Sequence, residues 1–370
     1  MRRKLLVIQI VVCFVLCSRF SFALDSLTLL ATLVGQSDDE LYHCASAGDV
    51  NGDGFKDIIV GAPQMLMDRG YAYIYFGGAE FDTIPDVRLI GEPFDSGLYV
   101  GFGENVASAG DVNLDGYGDV LVVAGFVREV FLYFGGVEMD SIEDVVFQGG
   151  SGDLYSFGAS VSCAGDLNSD DYDDIIISSP EYPAGMGTGR VYIYFGGENM
   201  NNQADICIQG GEGDCLGSSV AGLGDVNQDG YDDILVGAPT DGPTQFEGRA
   251  SIYFGGDPMD TVADVTFWGD SATFRSVGYW IAGADDVNGD SIPDVMISAS
   301  SKVKLFFGGA QMDTIADLIL TGEEPLSQPF SYGIAPAGDL NKDGSADIMV
   351  SHSSFGDSGE GKVYIFYGGP

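Results

Sequence analysis

Asp49-Val50-Asn51-Gly52-Asp53-Gly54-Phe55-Lys56-Asp57, running on into Ile58-Ile59-Val60-Gly61-Ala62-Pro63, is the stretch that decides how this 370-residue chain is read. Positions 1, 3, 5 and 9 of the nine-residue segment carry side-chain oxygens. The run after it is aliphatic, β-branched and too short for a helix, so an acidic turn leads into a strand. The pattern returns five times at spacings of 53 to 62 residues, beginning at Asp111, Asp166, Asp225, Asp286 and Asp339. A period of this length that leaves almost nothing of the chain outside it marks a repeat architecture.

Working outward, each acidic segment precedes a strand-like run: Ile58 to Val60, Val120 to Val123, Ile175 to Ile177, Ile234 to Val236, Val295 to Ile297 and Ile348 to Val350. An alternating aromatic strand follows and ends in Gly-Gly, as in Tyr73-Ile74-Tyr75-Phe76-Gly77-Gly78. A last strand follows an aspartate, as in Asp86-Val87-Arg88-Leu89 and Asp264-Val265-Thr266-Phe267. Four short antiparallel strands cannot hide their apolar faces alone, and stacking such sheets radially buries both faces of each. The expected fold is all-β, a six-bladed β-propeller of four-stranded antiparallel blades occupying residues 24–370 as one domain. The alternatives are a seven-bladed ring and an open solenoid. Leu29 to Gly35 reads as an outer strand that completes the last blade, because the sixth unit stops at Gly369-Pro370 without one.

The acidic segments have the spacing that a hard cation needs. Ca²⁺ takes six to eight oxygens, and D-x-N-x-D-G-x-x-D offers side-chain oxygens from positions 1, 3, 5 and 9 and a backbone carbonyl from position 7. The expected ligand sets are Asp49, Asn51, Asp53, Phe55 and Asp57; Asp111, Asn113, Asp115, Tyr117 and Asp119; Asp166, Asn168, Asp170, Tyr172 and Asp174. The remaining three are Asp225, Asn227, Asp229, Tyr231 and Asp233; Asp286, Asn288, Asp290, Ile292 and Asp294; Asp339, Asn341, Asp343, Ser345 and Asp347. One such segment could be a polar turn that merely favours Asp, Asn and Gly. A turn needs only one or two of these residues, whereas all six copies keep Asp, Asn, Asp and Asp, so up to six Ca²⁺ are expected, with a structural role. No Glu occupies position 12 and a strand follows, which separates these loops from EF-hands. Gly at position 6 suits a sharp turn, and Asp171 and Ser291 replace it in the third and fifth copies.

Composition sets further bounds. The chain has 15 Lys+Arg against 56 Asp+Glu, a formal charge of −41, yet it is 45% hydrophobic and 12% aromatic, so it can bury a core. A surface this negative repels phosphate backbones, and nucleic acid is not an expected partner. Residues 1–23 read as a signal peptide: Arg2, Arg3 and Lys4, then the apolar run Leu5 to Cys17, then Ser21-Phe22-Ala23 as a cleavage site. The run is shorter than the ~20 residues of a spanning helix, and no later segment could span a membrane. Four cysteines follow the leader, with no CxxC. Cys207 and Cys215 are close enough to pair across a turn, while Cys44 and Cys163 are expected to be small buried apolar residues.

These residues together resemble the FG-GAP repeat proteins, best known from the N-terminal propellers of integrin α subunits. The resemblance rests on Phe102-Gly103 and Phe157-Gly158 before the loops and on Gly61-Ala62-Pro63 and Gly237-Ala238-Pro239 after them. Leu216, Val277 and Tyr332 stand where Phe is expected, Tyr42 lacks the following Gly, and Ser298-Ala299-Ser300 and Ser351-His352-Ser353 replace Gly-Ala-Pro. Integrin propellers have seven blades and sit on long legs, whereas six blades are expected from this sequence. The resemblance implies calcium at one end of the blades and ligand contacts at the other. There the loops would be Gln64 to Arg69, Glu181 to Thr188, Thr240 to Gly248 and Phe355 to Gly361, with Phe94 to Tyr99, Leu154 to Phe157, Phe274 and Phe330 to Tyr332.

The expected function is adhesion or recognition of a protein or carbohydrate outside the cell, by a monomer that is secreted or held at the cell surface. The alternative is a propeller-type polysaccharide hydrolase or lyase, for which a pair of acids would suffice. Only two histidines are present and no nucleophile-elbow pattern occurs, so no catalytic residue is expected. Ser291 at position 6 and Pro293 two residues on make the fifth loop the weakest expected cation site. Calcium titration of D286A against D225A checks this. The smaller loss of total affinity is expected from D286A, and the reverse order would refute it.

Overall fold

The computed structural model describes residues 33, 41–63, 69–78, 81–91, 101–153, 156–183, 186–241, 247–270, 275–299, 302–322, 333–352 and 362–369. The leader at 1–23 and the outer strand expected at 29–35, Leu33 apart, lie outside these residues. Among the described residues there is no helix, and hence none long and apolar enough to cross a membrane.

The strands fall into six antiparallel sheets. The first holds β1 (Cys44–Gly48), β2 (Asp57–Ala62), β3 (Tyr71–Tyr75) and β4 (Val87–Ile90), and the second β5 (Phe102–Gly110), β6 (Asp119–Ala124), β7 (Glu129–Tyr133) and β8 (Val145–Gln148). The third holds β9 (Val161–Gly165), β10 (Asp174–Ser179), β11 (Arg190–Tyr194) and β12 (Ile206–Gln209). The fourth holds β13 (Val220–Gly224), β14 (Asp233–Ala238), β15 (Arg249–Tyr253) and β16 (Val265–Trp268). The fifth holds β17 (Trp280–Asp285), β18 (Asp294–Ala299), β19 (Lys302–Phe306) and β20 (Leu318–Thr321), and the sixth β21 (Gly333–Gly338), β22 (Asp347–His352) and β23 (Lys362–Phe366). Within each sheet the strands pair in chain order, so the chain is a six-bladed all-β propeller, as its repeat implies. The sixth blade shows three strands among the described residues, not four.

Burial explains the strand sequences. The second strand of each of the first five blades is covered on both faces, which is why Ile58-Ile59-Val60 and its equivalents are continuously apolar rather than alternating. The fourth strand is an edge, and in β4 only Leu89 is fully buried while Arg88 and Ile90 face water. The first strand is also an edge, and this corrects the expectation for two cysteines. Cys44 is exposed and Cys163 half-buried, because an edge strand has sheet on one side only. All four cysteines are free thiols, so Cys207 and Cys215 are not bridged.

The chain divides into two compact units, Met1–Ser108 with Gly116–Val146, and Ala109–Asp115 with Phe147–Pro370. In the first unit Ile59, Ile74 and Leu89 pack against Phe102, Val106, Val120 and Val122, and the rings of Phe102 and Phe131 meet edge to face at 5.5 Å. Buried Leu33 joins Ile58, Val60, Tyr73 and Tyr75, the alternate residues of β2 and β3 and so the other face of the first blade. In the second unit three further cores lie between successive blades, with Ile176 and Ile193 facing Ile234 and Val236, Leu235 and Ile252 facing Ile281 and Ile297, and Met296 and Leu305 facing Ile348 and Val350.

The motif residues act in these seams. Phe102, Phe157, Leu216 and Val277 are all buried, so the three residue types do one job, plugging the core where the chain enters a blade. The glycines permit backbone-to-backbone contact. A Cβ on Gly61 would lie 2.1 Å from the Gly103 carbonyl oxygen, and one on Gly237 2.0 Å from that of Gly278. Gly237→Ala must therefore push two blades apart, at a cost of about 1–3 kcal/mol. Gly136→Ala adds a methyl with nothing within 4 Å. Thermal melting of the two variants should show a clear loss for G237A alone, and equal midpoints would refute the contact's importance.

Candidate functional site: the acidic turns

Each acidic segment is the turn between the first and second strands of its blade. Three of its residues adopt positive φ in every copy: the residue before position 1, position 4 and position 6. Glycine fills the first of these in five copies and Asp285 in the fifth, at φ 52°. Position 4 is Gly52, Leu114, Ser169, Gln228, Gly289 or Lys342, so four copies carry a side chain in the left-handed region. Asp171 and Ser291 hold it at position 6, with φ of 72° and 68°. The sequence reading recognised position 6 and missed the other two, although the recurrent Gly48, Gly110, Gly165, Gly224 and Gly338 were there to be seen.

The aspartate at position 1 pays back this strain by collecting backbone N–H groups. Asp49 Oδ1 accepts from Gly52 and Asp53 at 2.8 and 3.0 Å, and its Oδ2 accepts from Gly54 at 2.8 Å. Asp225 takes the N–H groups of Asp229 and Gly230, Asp286 those of Gly289, Asp290 and Ser291, and Asp339 those of Asp343 and Gly344. Asp166 does the same for Asp170 and Asp171. Position 3 accepts from the position 5 N–H and donates its amide to the position 5 carboxylate, as Asn113 and Asp115 do at 2.9 and 3.0 Å. In the second copy Asp111, Asn113 and Asp115 belong to one compact unit, and Tyr117 and Asp119 to the other, so each group stands by itself.

Position 9 is different in kind. Asp57, Asp119, Asp174, Asp233, Asp294 and Asp347 are buried to 1% exposure or less. Asp174 Oδ2 accepts the Leu167 N–H at 2.9 Å and its Oδ1 the Gly196 N–H at 2.8 Å, tying the turn to the Gly-Gly that ends the third strand. Asp57, Asp233, Asp294 and Asp347 repeat both bonds. Burial pushes the Asp174 and Asp233 carboxyls up to about 7 and those of Asp57 and Asp294 up to about 6. The N–H donors oppose this rise, and aspartates of the same turn add to it.

The donors suit a hard cation, since side chains at positions 1, 3 and 5 present oxygens at the mouth of one turn. Arg249 is salt-bridged to Asp214 and Asp241, both outside these turns. Position 7 is exposed as Phe55 and buried as Ser345. Among the described residues no three His, Cys, Asp or Glu side chains are drawn together tightly enough to ligate one ion; each carboxylate is directed to N–H donors instead. A carboxylate oxygen has two acceptor directions, so these bonds leave lone pairs for a cation.

The opposite end of the blades carries charge and aromatic rings. Arg249 donates to Asp241, to Asp214 at 3.4 Å and to Ser251 at 3.0 Å. Arg190 lies 3.5 Å over the Tyr182 ring and holds Gln209, while Tyr192 donates to buried Asp153 at 3.0 Å. Tyr279 and Trp280 are exposed. Of the ligand loops expected from the sequence, Arg69, 181–183, 186–188, 240–241, 247–248 and 156–157 are described; the rest, with Phe94 to Tyr99, Phe274, Phe330 to Tyr332 and Phe355 to Gly361, lie outside the described residues. Phe157 is buried in the blade core and so presents nothing to a ligand.

Comparison with known proteins agrees with this geometry. The FG-GAP repeat model matches residues 45–75, 157–194 and 216–253. Human integrin alpha-6 is 33% identical over 234 residues, which is 61% of this chain and 19% of that one. Integrin alpha-3 of Cricetulus griseus is 32% identical over 263 residues, 66% of this chain and 23% of that one. Integrin alpha-5 of Xenopus laevis is 36% identical over 156 residues, 39% of this chain and 14% of that one. The chain carries FG-GAP repeats and resembles the N-terminal propeller of integrin α subunits. It spans less than a quarter of the length of these relatives.

The two kinds of aspartate separate by experiment. D174A strands two N–H groups inside the protein at about 1–3 kcal/mol each, with or without cation. D170A leaves an N–H that water reaches. In chelator D174A should melt far below the parent protein and D170A within about 0.5 kcal/mol of it; similar losses would contradict the buried role of position 9.

Proposed function

We propose that this chain is a non-catalytic recognition module whose six acidic turns bind Ca²⁺ as a structural cation. The observation that carries the reading is the sixfold return of one left-handed turn whose aspartate, asparagine and aspartate crowd oxygens at an exposed mouth. The acids at positions 1, 5 and 9 each hold N–H groups that shape the turn, yet they repel one another, and a cation would offset that repulsion. The ligands are the side chains at positions 1, 3, 5 and 9 and the carbonyl at position 7, and the ion supplies the positive charge that those acids lack. The resemblance to integrin α propellers supports recognition of an extracellular protein or carbohydrate, met at the end away from the acidic turns. Export is proposed to be directed by residues 1–23, which are then cleaved off.

Two measurements test this. Calcium at a hundred times Kd adds about 2.7 kcal/mol for each occupied site, so chelation should lower the melting temperature markedly. An unchanged melting curve would overturn the calcium reading. A screen against glycans and matrix proteins, run with and without chelator, should give calcium-dependent capture without release of reducing ends; release of them would favour the enzyme.

A further inference from the structure

Two aspartates outside the ligand sets, Asp173 and Asp232, bracket a ligand of the preceding turn. Asp173 Oδ2 accepts the N–H of Asp111 at 2.7 Å, and the Asp173 N–H donates to the Asp111 carbonyl at 3.3 Å. Asp232 treats Asp166 in the same way, at 3.0 Å for both bonds. The next residue of each preceding turn is also held, because Gly197 donates to the Val112 carbonyl and Gly256 to that of Leu167, both at 2.8 Å; Gly309 does the same for Val226 at 2.7 Å, so this tie does not distinguish the seams. The contact is close: a Cβ on Gly110 would lie 2.6 Å from the Asp173 Cβ, and one on Gly165 2.0 Å from Asp232 Oδ2.

The seams are graded by the residue at position 8. Ala346 and Gly118 supply only the backbone half, donating to the Asp286 and Asp49 carbonyls at 2.7 and 2.8 Å. Pro293 has no N–H, so it has none to give to Asp225, and its ring carbon sits 3.1 Å from where a Cβ of Gly224 would be.

We propose that Asp173 and Asp232 are positioning residues that couple neighbouring cation turns, so that the second, third and fourth fill cooperatively while the fourth and fifth, which keep only the Gly309–Val226 bond, are coupled far more weakly. This rests on the calcium reading above. Asp173 adjoins Asp174, a ligand of the third turn, and Asp232 adjoins Asp233. A cation that fixes the ninth residue fixes the eighth, and the eighth fixes the backbone of the first ligand one turn earlier. By linkage the effect runs both ways.

The chain carries its own reporters. Position 7 is Tyr117, Tyr172 and Tyr231 in the second, third and fourth turns, but Phe55, Ile292 and Ser345 elsewhere. Terbium emission excited through tyrosine falls off steeply with distance, so full-length D53A/Y172F/Y231F reports on the second turn, D53A silencing the first turn against which the Tyr117 ring packs, and Y117F/Y172F reports on the fourth. In the first background D170A, which disables the third turn, should weaken terbium binding at the second about tenfold. D173A should do the same, whereas D173N, which keeps an acceptor oxygen, should stay within about twofold. In the second background D290A should change terbium binding at the fourth turn by no more than about twofold, rising to about tenfold when P293D restores both bonds.

The absence of calcium-displaceable emission would overturn the calcium reading itself. Emission from the second turn that D170A does not alter would overturn the coupling and leave that reading standing. Equal losses from D173A and D173N, or no effect of P293D, would also overturn the coupling. Melting of each variant in chelator establishes that it is folded.

Discussion

The fold depends on a buried carboxylate that joins three parts of one blade. Five of the six position 9 aspartates, Asp57, Asp174, Asp233, Asp294 and Asp347, begin the second strand, hold the N–H at position 2 of their own turn, and hold the N–H of the glycine that ends the third strand. A hydrogen bond to a charged group contributes about 1.5–3 kcal/mol, and here two share one acid. The acid is isolated from water, which is why its carboxyl is pushed towards neutrality in Asp174 and Asp233. The arrangement places the turn, the strand and the glycine pair under one constraint. A cation would answer the cost of the buried charge in the same place.

The blades meet through a second constraint, the nearness of backbones. The Gly61 and Gly103 segments, like those of Gly237 and Gly278, approach more closely than any side chain allows. Large residues then close the space beside them, with Phe102, Phe157, Leu216 and Val277 in equivalent places. Substitution of Phe by Leu or Val is tolerated there because the requirement is volume in an apolar seam, whereas replacement of glycine meets a carbonyl oxygen.

Much of this was legible in the sequence, for physical reasons that differ from part to part. The blade count followed from Asp49 and its five equivalents, since a turn that needs a fixed pattern of oxygens cannot drift. The strands were legible where burial on both faces demands an unbroken aliphatic run, as in Ile175-Ile176-Ile177. The exposed thiol of Cys44 was not, because whether a strand is an edge is decided by its neighbours and not by its own residues. Nor were the left-handed Leu114, Gln228 and Lys342, whose side chains carry no mark of the backbone beneath them. The aspartate ten residues after each Phe-Gly-Gly phenylalanine was noticed as a strand start. In fact Asp86, Asp144, Asp205, Asp264 and Asp317 each accept that phenylalanine's N–H, a closing bond that only the fold reveals.

Pro293 gives the array a grain. Repeats joined by Asp173 and Asp232 share hydrogen bonds with their neighbours, so each is fitted to one particular predecessor and is not an interchangeable module. The fourth and fifth blades share apolar contacts but lack the bond that an N–H at residue 293 would make. For anyone dividing or recombining this protein, the junction beside that proline lacks both position 8 bonds that Asp173 and Asp232 make elsewhere. A duplicated or transplanted blade would keep its own turn but lose the partner for which its eighth residue was shaped.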